Sequence, residues 1–209
     1  NDERILARGR MISRWPVRTG VLVDRGLAFF GAGVFPHENV YLYAVDAATG
    51  LAGHLNALSD ALQRERMNAD AGISAQVRTL NESLSGIDRL NDEILAAAAS
   101  GHDATALMDQ RQTLVDRVAA IVPVREVARE HDQISLYTTG GAILLEGNPA
   151  VIGFSAAGVI TPDMTIGSGA LSGFTINGLA VPSSDSGALG GGTLGALVAI
   201  RDDLAPAAQ

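Results

Sequence analysis

Asp109, Gln110, Arg111, Asp116 and Arg117 crowd into the stretch LMDQRQTLVDRVAAIV, residues 107–122. Two carboxylates seven residues apart lie on one side of a helix, two turns from each other. To work as a catalytic acid and base they would need a pocket, and surroundings that drive their pKa values apart. The stretch offers instead an apolar residue at nearly every third or fourth position, with Asp and Arg on the other face. Such charges pair on a solvated helix for a few tenths of a kcal/mol. GGGTLG (190–195) formally fits G-x-G-x-x-G and opens a helix, but a polar Ser/Asp stretch precedes it where a buried strand is required, and no acid follows about 20 residues on. His37, His54, His102 and His131 are scattered without metal-ligand spacing. No G-x-S-x-G elbow accompanies the many serines. The sequence therefore assigns no catalytic, cofactor-binding or metal residues, and the chain reads as a non-enzyme that needs no cofactor.

Composition narrows the class further. Of 209 residues, 47% are hydrophobic but only 4% aromatic, and 24 are Gly. Ala, Leu, Val and Ile supply the apolar mass, which suits helices with small-residue faces and Gly-rich strands. No cysteine is present, which removes disulfides, thiolate metal sites and a cysteine nucleophile. The net charge of −8 argues against nucleic acid, whose phosphates call for basic patches. No apolar run reaches the roughly 18 residues of a membrane span. All 15 basic residues are Arg, which we read as a codon-composition bias. Residues 1–50 hold six Arg against five acids, and residues 51–209 hold nine against eighteen. The charge changes where the style of the sequence changes.

Up to residue 50 the pattern is β. GVLVD (20–24) and LAFFGAG (27–33) flank a DRG turn, and NVYLYAVD (39–46) alternates before a DAATG turn (46–50). The stretches VRTGVLVDRGLAFFGAG (17–33) and VYLYAVDAATG (40–50) resemble one blade of a quinoprotein-like β-propeller. From Leu51 the period becomes helical. Leu55, Leu58 and Leu62 keep helical spacing, and Ile73, Val77, Leu80, Leu84, Ile87, Asn91 and Ile94 step by four and three, a heptad-like seam. The spacing predicts a helix over 53–98, about 70 Å long, weakened at Gly72 and Gly86. Gly101 suits its C-terminal cap and Asp103 the N-cap of the next.

The second helix, about 104–122, repeats the step at Leu107, Arg111, Leu114, Val118 and Ile121 until Pro123 stops it. The two helices are expected to pair antiparallel. The first is more than twice as long, so its excess seam must be covered by another part of this chain or by a neighbouring subunit. Beyond Pro123, QISLYT (133–138) and AILLEG (142–147) read as a hairpin. AVIGF (150–154), VITPDMTI (159–166) and GFTING (173–178) read as further strands. SSDSGALGGG (183–192) reads as a polar, flexible loop, and TLGALVAIRDDLAP (193–206) as a final helix capped by Thr193.

The fold class is thus α+β: a long helical hairpin, a Gly-rich β region and a short C-terminal helix, after a propeller-blade-like segment. The expected parts are 1–50 (blade-like), 51–125 (helical hairpin), 126–192 (β-rich) and 193–209 (a returning helix).

In that order, RLNDEILAAAASGHDATALMDQRQTLVDRVAAIVPVREV (89–127), ISLYTTGGAILLEGNPAVIGF (134–154) and GGTLGALVAIRDDLAPAAQ (191–209) resemble the family of the bacterial flagellar hook–filament junction protein, the first hook-associated protein. Asp109, Gln110 and Arg111, with Leu107 and Leu114, fit its Leu-x-Asp-Gln-Arg-x-x-Leu helix. Arg201, Asp202 and Pro206 fit its closing Arg-Asp helix. The resemblance implies a structural protein of the bacterial flagellum, exported unfolded by the flagellar type III apparatus to the cell exterior. There it would form a ring of its own copies between the hook protein and the neighbouring junction protein, without nucleic acid or membrane insertion. Two departures are expected: the family's N-terminal helical region is replaced by the blade-like segment, and its C-terminal pairing helix lies beyond Gln209. The chain then looks chimeric, and a fragment of a propeller repeat protein, a binding or dehydrogenase scaffold, is the alternative.

Overall fold

An Asp that ends a strand either starts a turn or caps a helix, and here Asp46 caps a helix. In a computed structural model of the chain, residues 4–7, 10–13, 21–32, 41–184 and 187–204 are described. The chain divides into two compact units, residues 1–60 and 61–209. In the first, β1 (Arg4–Ala7) and β2 (Arg10–Ser13) pair antiparallel. β3 (Leu22–Asp24), β4 (Leu27–Ala32) and β5 (Tyr41–Asp46) form a three-stranded antiparallel sheet in that order. Arg25 and Gly26, with φ of 49° and 82°, close the β3–β4 hairpin as a two-residue turn. The parts of the expected strands at 20, 33 and 39–40 lie outside the described residues. β5 passes directly into α1 (Ala47–Ala99), because the Asp46 carboxylate accepts the Thr49 backbone N–H at 2.6 Å. The turn expected over 46–50 is therefore the first turn of a helix, which begins six residues earlier than the spacing predicts. The cap holds the Asp46 carboxyl below its ordinary range, through the Thr49 backbone hydrogen bond first.

The 53 residues of α1 extend about 80 Å at 1.5 Å per residue. In the second unit its stripe Ile73, Val77, Leu80, Leu84, Ile87, Leu90 and Ile94 is buried throughout. The helix ends as the Gly101 signal requires. Gly101 takes φ 70°, its N–H donates to Ala98 O, and the His102 N–H reaches back to Ala97 O at 2.9 Å. The Asp103 carboxylate then accepts both the N–H and the hydroxyl of Thr105 at the start of α2 (Thr105–Ile121). Helix α2 returns along α1. Gly86 leaves room for Leu114, and Val115, Val118 and Ile121 are buried, while Leu114 and Leu107 are only partly covered.

After Pro123 the chain makes β6 (Val124–Ala128), β7 (Ile134–Thr138), β8 (Ile143–Glu146) and β9 (Asn148–Pro149), an antiparallel sheet in sequential order. The expected hairpin is β7–β8. Strand β6 carries two charged residues and only partial burial, as an edge strand does, so its sequence lacks the usual strand signal. A second sheet joins β10 (Ile152–Gly153), β11 (Phe174–Ile176) and β12 (Leu179–Val181). The strand expected at 159–166 is instead a run of turns around Pro162. Helix α3 (Gly192–Ala199) closes the unit and widens into a π-helical turn, Ile200–Leu204. Thr193 does not cap α3: its hydroxyl donates to Ala120 O on α2, and Gly191 holds the cap position with φ 85°. The segment 183–192, read as a free loop, is anchored by the buried Leu189 among its described residues.

One apolar cluster joins Ile73, Val77, Leu80, Leu84 and Ile87 of α1 to Val115, Val118 and Ile121 of α2, to Ile134, Leu136, Leu144 and Leu145 of the first sheet, to Ile152 and Phe174 of the second, and to Leu194 and Val198 of α3. Between residues 73 and 94 the seam of α1 is thus covered by this chain itself. The glycines at the joints give a graded test. Gly101→Ala strains only the backbone, since nothing stands within 4 Å of an added Cβ, and is expected to cost about 1 kcal/mol. Gly192→Ala adds to a positive φ a collision with Ile121 O. It should lower the denaturant midpoint, followed by far-UV circular dichroism, further than Gly101→Ala does.

Candidate functional site: polar anchors along the long helix

The four-three step of the α1 stripe does not stop at Ile73. Counting back by three and four gives Asp70 and Arg66; counting forward from Ile87 gives Asn91. All three are buried, at 2%, 0% and 6% exposure. Burying a polar or charged side chain costs several kcal/mol unless partners replace water, so each demands a complete set.

Asn91 supplies the first anchor. Its Nδ2 donates to Ile134 O at 2.9 Å, and its Oδ1 accepts the Ile134 N–H at 3.2 Å, so the amide pairs with β7 as a strand would. The same Oδ1 accepts Nη1 of Arg111 at 2.9 Å. Arg111, buried on α2, also donates to Asp132 O at 2.6 Å. That carbonyl belongs to a turn in which His131 and Asp132 both hold φ of 57°, a conformation costly for residues with side chains. The guanidinium therefore ties both helices to the strained approach of β7. Burial pulls the Arg111 pKa down, opposed by the charges of Glu126 and Asp132.

Asn81, half-buried, repeats the device on the second sheet. Its Nδ2 donates to Ile152 O at 2.8 Å and its Oδ1 accepts the Ile152 N–H at 2.9 Å.

The third anchor is charged. Nη1 of Arg201 meets Oδ1 of Asp70 at 2.9 Å, with both side chains at most 3% exposed. Arg201 also binds both carboxylate oxygens of Asp202, donates to Ser172 O at 3.1 Å, and lies 5.2 Å from the Phe154 ring centre. Burial lowers the Arg201 pKa, but the hydrogen bonds to Asp202 and Asp70 outweigh it and the net direction is up. The other oxygen of Asp70 accepts the Ala157 N–H at 2.7 Å. Arg66 donates to three main-chain carbonyls, Arg201 O at 2.9 Å, Thr161 O at 3.0 Å and Met164 O at 2.6 Å, and to Gln63 Oε1 at 3.2 Å. These bonds explain why 159–166 is a looped run and not a strand: its carbonyls face an arginine. Beside this anchor a cleft of about 350 Å³ opens, lined by Arg66, Thr165, Ser183, Asp202 and Asp203 among others.

The residues singled out by sequence divide accordingly. Arg111, Arg201 and Asp202 sit in the anchors. Asp109 and Gln110 face outward with Asp116, which accepts a bond from Gln112 at 2.9 Å. His54, His102 and His131 are exposed and apart, and His37 lies outside the described residues. Among the described residues no group of three or more His, Cys, Asp or Glu converges as a metal site would, and no helix is long and apolar enough to cross a membrane. Arg66, Asp70, Asn81 and Asn91 escaped functional assignment. For three of them the available signal was a polar residue in phase with the apolar stripe.

Arg111→Ala removes one of the two donors to Asn91 Oδ1 and the side-chain donor to Asp132 O, and should cost about 3 kcal/mol. Combined with Asn91→Ala in a double-mutant cycle by urea denaturation, it should show a coupling of roughly 1–2 kcal/mol. Separately, burial first and then the neighbouring Asp92 raise the pKa of Asp88. Its folded pKa exceeds its unfolded one, so its contribution is most favourable below the unfolded value and is lost as pH rises through the folded value. Asp88→Asn should therefore be more stable than the parent at pH 7, and the gain should vanish below the ordinary carboxylate range.

No curated protein sequence matches the chain. In a solved structure, that of the flagellar hook junction protein FlgK from Burkholderia pseudomallei, the same fold covers 74% of this chain with a TM-score of 0.58 at 23% identity. The present chain corresponds to 27% of that protein's length. The family model of the flagellar hook-associated protein FlgK helical domain matches residues 43–209. That match starts within β5 and takes in all of α1 and everything after it. The chain belongs to the family of the flagellar hook-associated protein FlgK, through that protein's helical domain.

Proposed function

We propose that this chain is a scaffold segment of the junction between flagellar hook and filament, a structural part that performs no catalysis. The observation that carries this reading is the family match over residues 43–209, which includes both long helices, the two sheets of the second unit and α3. In the full-length protein the segment stands in a ring of identical copies outside the cell. It borders the hook protein on one side and the neighbouring junction protein on the other, after export by the flagellar type III apparatus. Ile73, Val77, Leu80, Leu84, Ile87, Leu107, Leu114, Val118 and Ile121 hold the helical pair rigid, and Arg111, Arg201 and Asp202 fix the β region on it. Asp109 and Gln110 lie on the face turned to solvent or to a neighbour. A ring that transmits torque needs subunits that do not deform, and anchors made of paired amides and buried guanidinium groups supply directional stiffness.

The blade-like segment 1–50 belongs to this proposal as a part of separate origin, supported by the change of charge and of sequence period near residue 50 and by a family match that starts only at residue 43. Single DNA molecules read across codons 40 to 60 should carry both parts; reads that never join them overturn that point.

The function is tested with the full-length protein in a motile bacterium lacking its own junction protein. The parent should restore attached filaments and swimming, and gold-labelled antibody should mark the base of the filament. Arg111→Ala should reduce attached filaments and release filament protein into the medium. Attached filaments in cells without the protein, or label along the cell body only, would overturn the assignment.

A further inference from the structure

Asn177 is the one Asn in the chain that is followed by Gly. It sits with Gly178 at the tip of the β11–β12 hairpin, where Ile176 pairs with Leu179 and the two central residues take φ of 51° and 82°. Both are exposed, and nothing lies within 4 Å of where a Gly178 Cβ would stand. In an open chain this dipeptide is chemically labile. The backbone nitrogen of Gly178 gives up its proton and attacks Cγ of Asn177; a new C–N bond forms and the side-chain nitrogen leaves as ammonia. The five-membered succinimide is then opened by water at either carbonyl. One route yields aspartate at position 177, and the other yields isoaspartate, in which the main chain runs through Cβ. No redox partner is needed.

The fold opposes the first step in spite of the exposure. Asn177 is clasped to Val151 twice: its N–H donates to Val151 O at 2.8 Å, and its Oδ1 accepts the Val151 N–H at 2.8 Å. The side-chain carbonyl that must swing toward Gly178 is held by Val151, the residue just before β10, and the backbone is held in the left-handed turn. Reaction requires this clasp to open.

We infer that Asn177–Gly178 is a deamidation site gated by folding, kept closed by Val151 and released when the second sheet opens. Aspartate at 177 keeps the acceptor oxygen, so the hairpin survives with one more negative charge. Isoaspartate lengthens the main chain by one carbon inside a two-residue turn, so the hairpin cannot re-form in register. Molecules that have spent time unfolded thus acquire a permanent mark in this sheet.

The test incubates the whole chain at pH 8, in buffer and in denaturing urea, and follows the peptide containing Asn177 by mass spectrometry. The gain of about one dalton should appear at least about tenfold more slowly in the folded chain, as local protection implies. Val151→Pro removes the N–H that holds Oδ1 and should move the folded rate toward the urea rate while the helical circular dichroism is retained. Val151→Ala keeps that N–H and should leave the rate unchanged. Rates within twofold in buffer and urea would overturn the inference, as would a folded Val151→Pro chain that deamidates as slowly as the parent. If Val151→Pro does not fold, the comparison of buffer with urea decides.

Discussion

A helix of 53 residues cannot cover its own apolar stripe. Every other element of the second unit answers that constraint. Helix α2 is a third as long and covers only part of the seam, so the rest must be met by strands and by α3. These come from stretches of low aromatic content and many glycines. They can pack closely, as Leu197 does over Gly72 and Leu114 over Gly86, but small side chains interlock weakly and do not by themselves choose one register. A stripe of Leu, Ile and Val is tolerant of sliding.

The polar anchors remove that tolerance. A paired amide satisfies Ile134 or Ile152 at one position only, and a slip of one residue would strand a buried donor and acceptor. Asp70 with Arg201 imposes the same condition on α3, at greater cost if violated because the groups are charged. Apolar burial thus drives the assembly of the unit while buried polar pairing selects its alignment. For Arg66, Asp70 and Asn91 the two roles share one heptad phase of the helix, from Arg66 to Ile94, and Asn81 flanks it.

Much of this was legible in the residues. The stripe, the stop at Gly101, the start near Asp103 and the break at Pro123 all follow from period and punctuation, and so does the β7–β8 hairpin. Other features were hidden for physical reasons. Asp46 has the same local chemistry as a turn former and as an N-cap, and only the following helix distinguishes them. Val124–Ala128 is an edge strand, free to carry charge. Residues 159–166 look apolar and β-branched, yet their carbonyls are taken by Arg66, 95 or more residues earlier in the chain. Arg66 and Asp70 read locally as ordinary surface charges, because the partners that bury them, in 157–164 and at Arg201, are far away in sequence.

The manner in which Arg66 holds its loop has a consequence for change over time. It touches the carbonyls of Thr161, Met164 and Arg201 and none of their side chains. Asp70 likewise grips the Ala157 N–H, and Arg201 the Ser172 carbonyl. A contact made to the main chain is indifferent to which residue supplies it. The span from 155 to 172 is therefore a cassette with fixed attachment points and a rewritable exterior. Lineages, or protein engineers, can exchange its outward residues freely while the geometry at its ends is inherited unchanged from the helix.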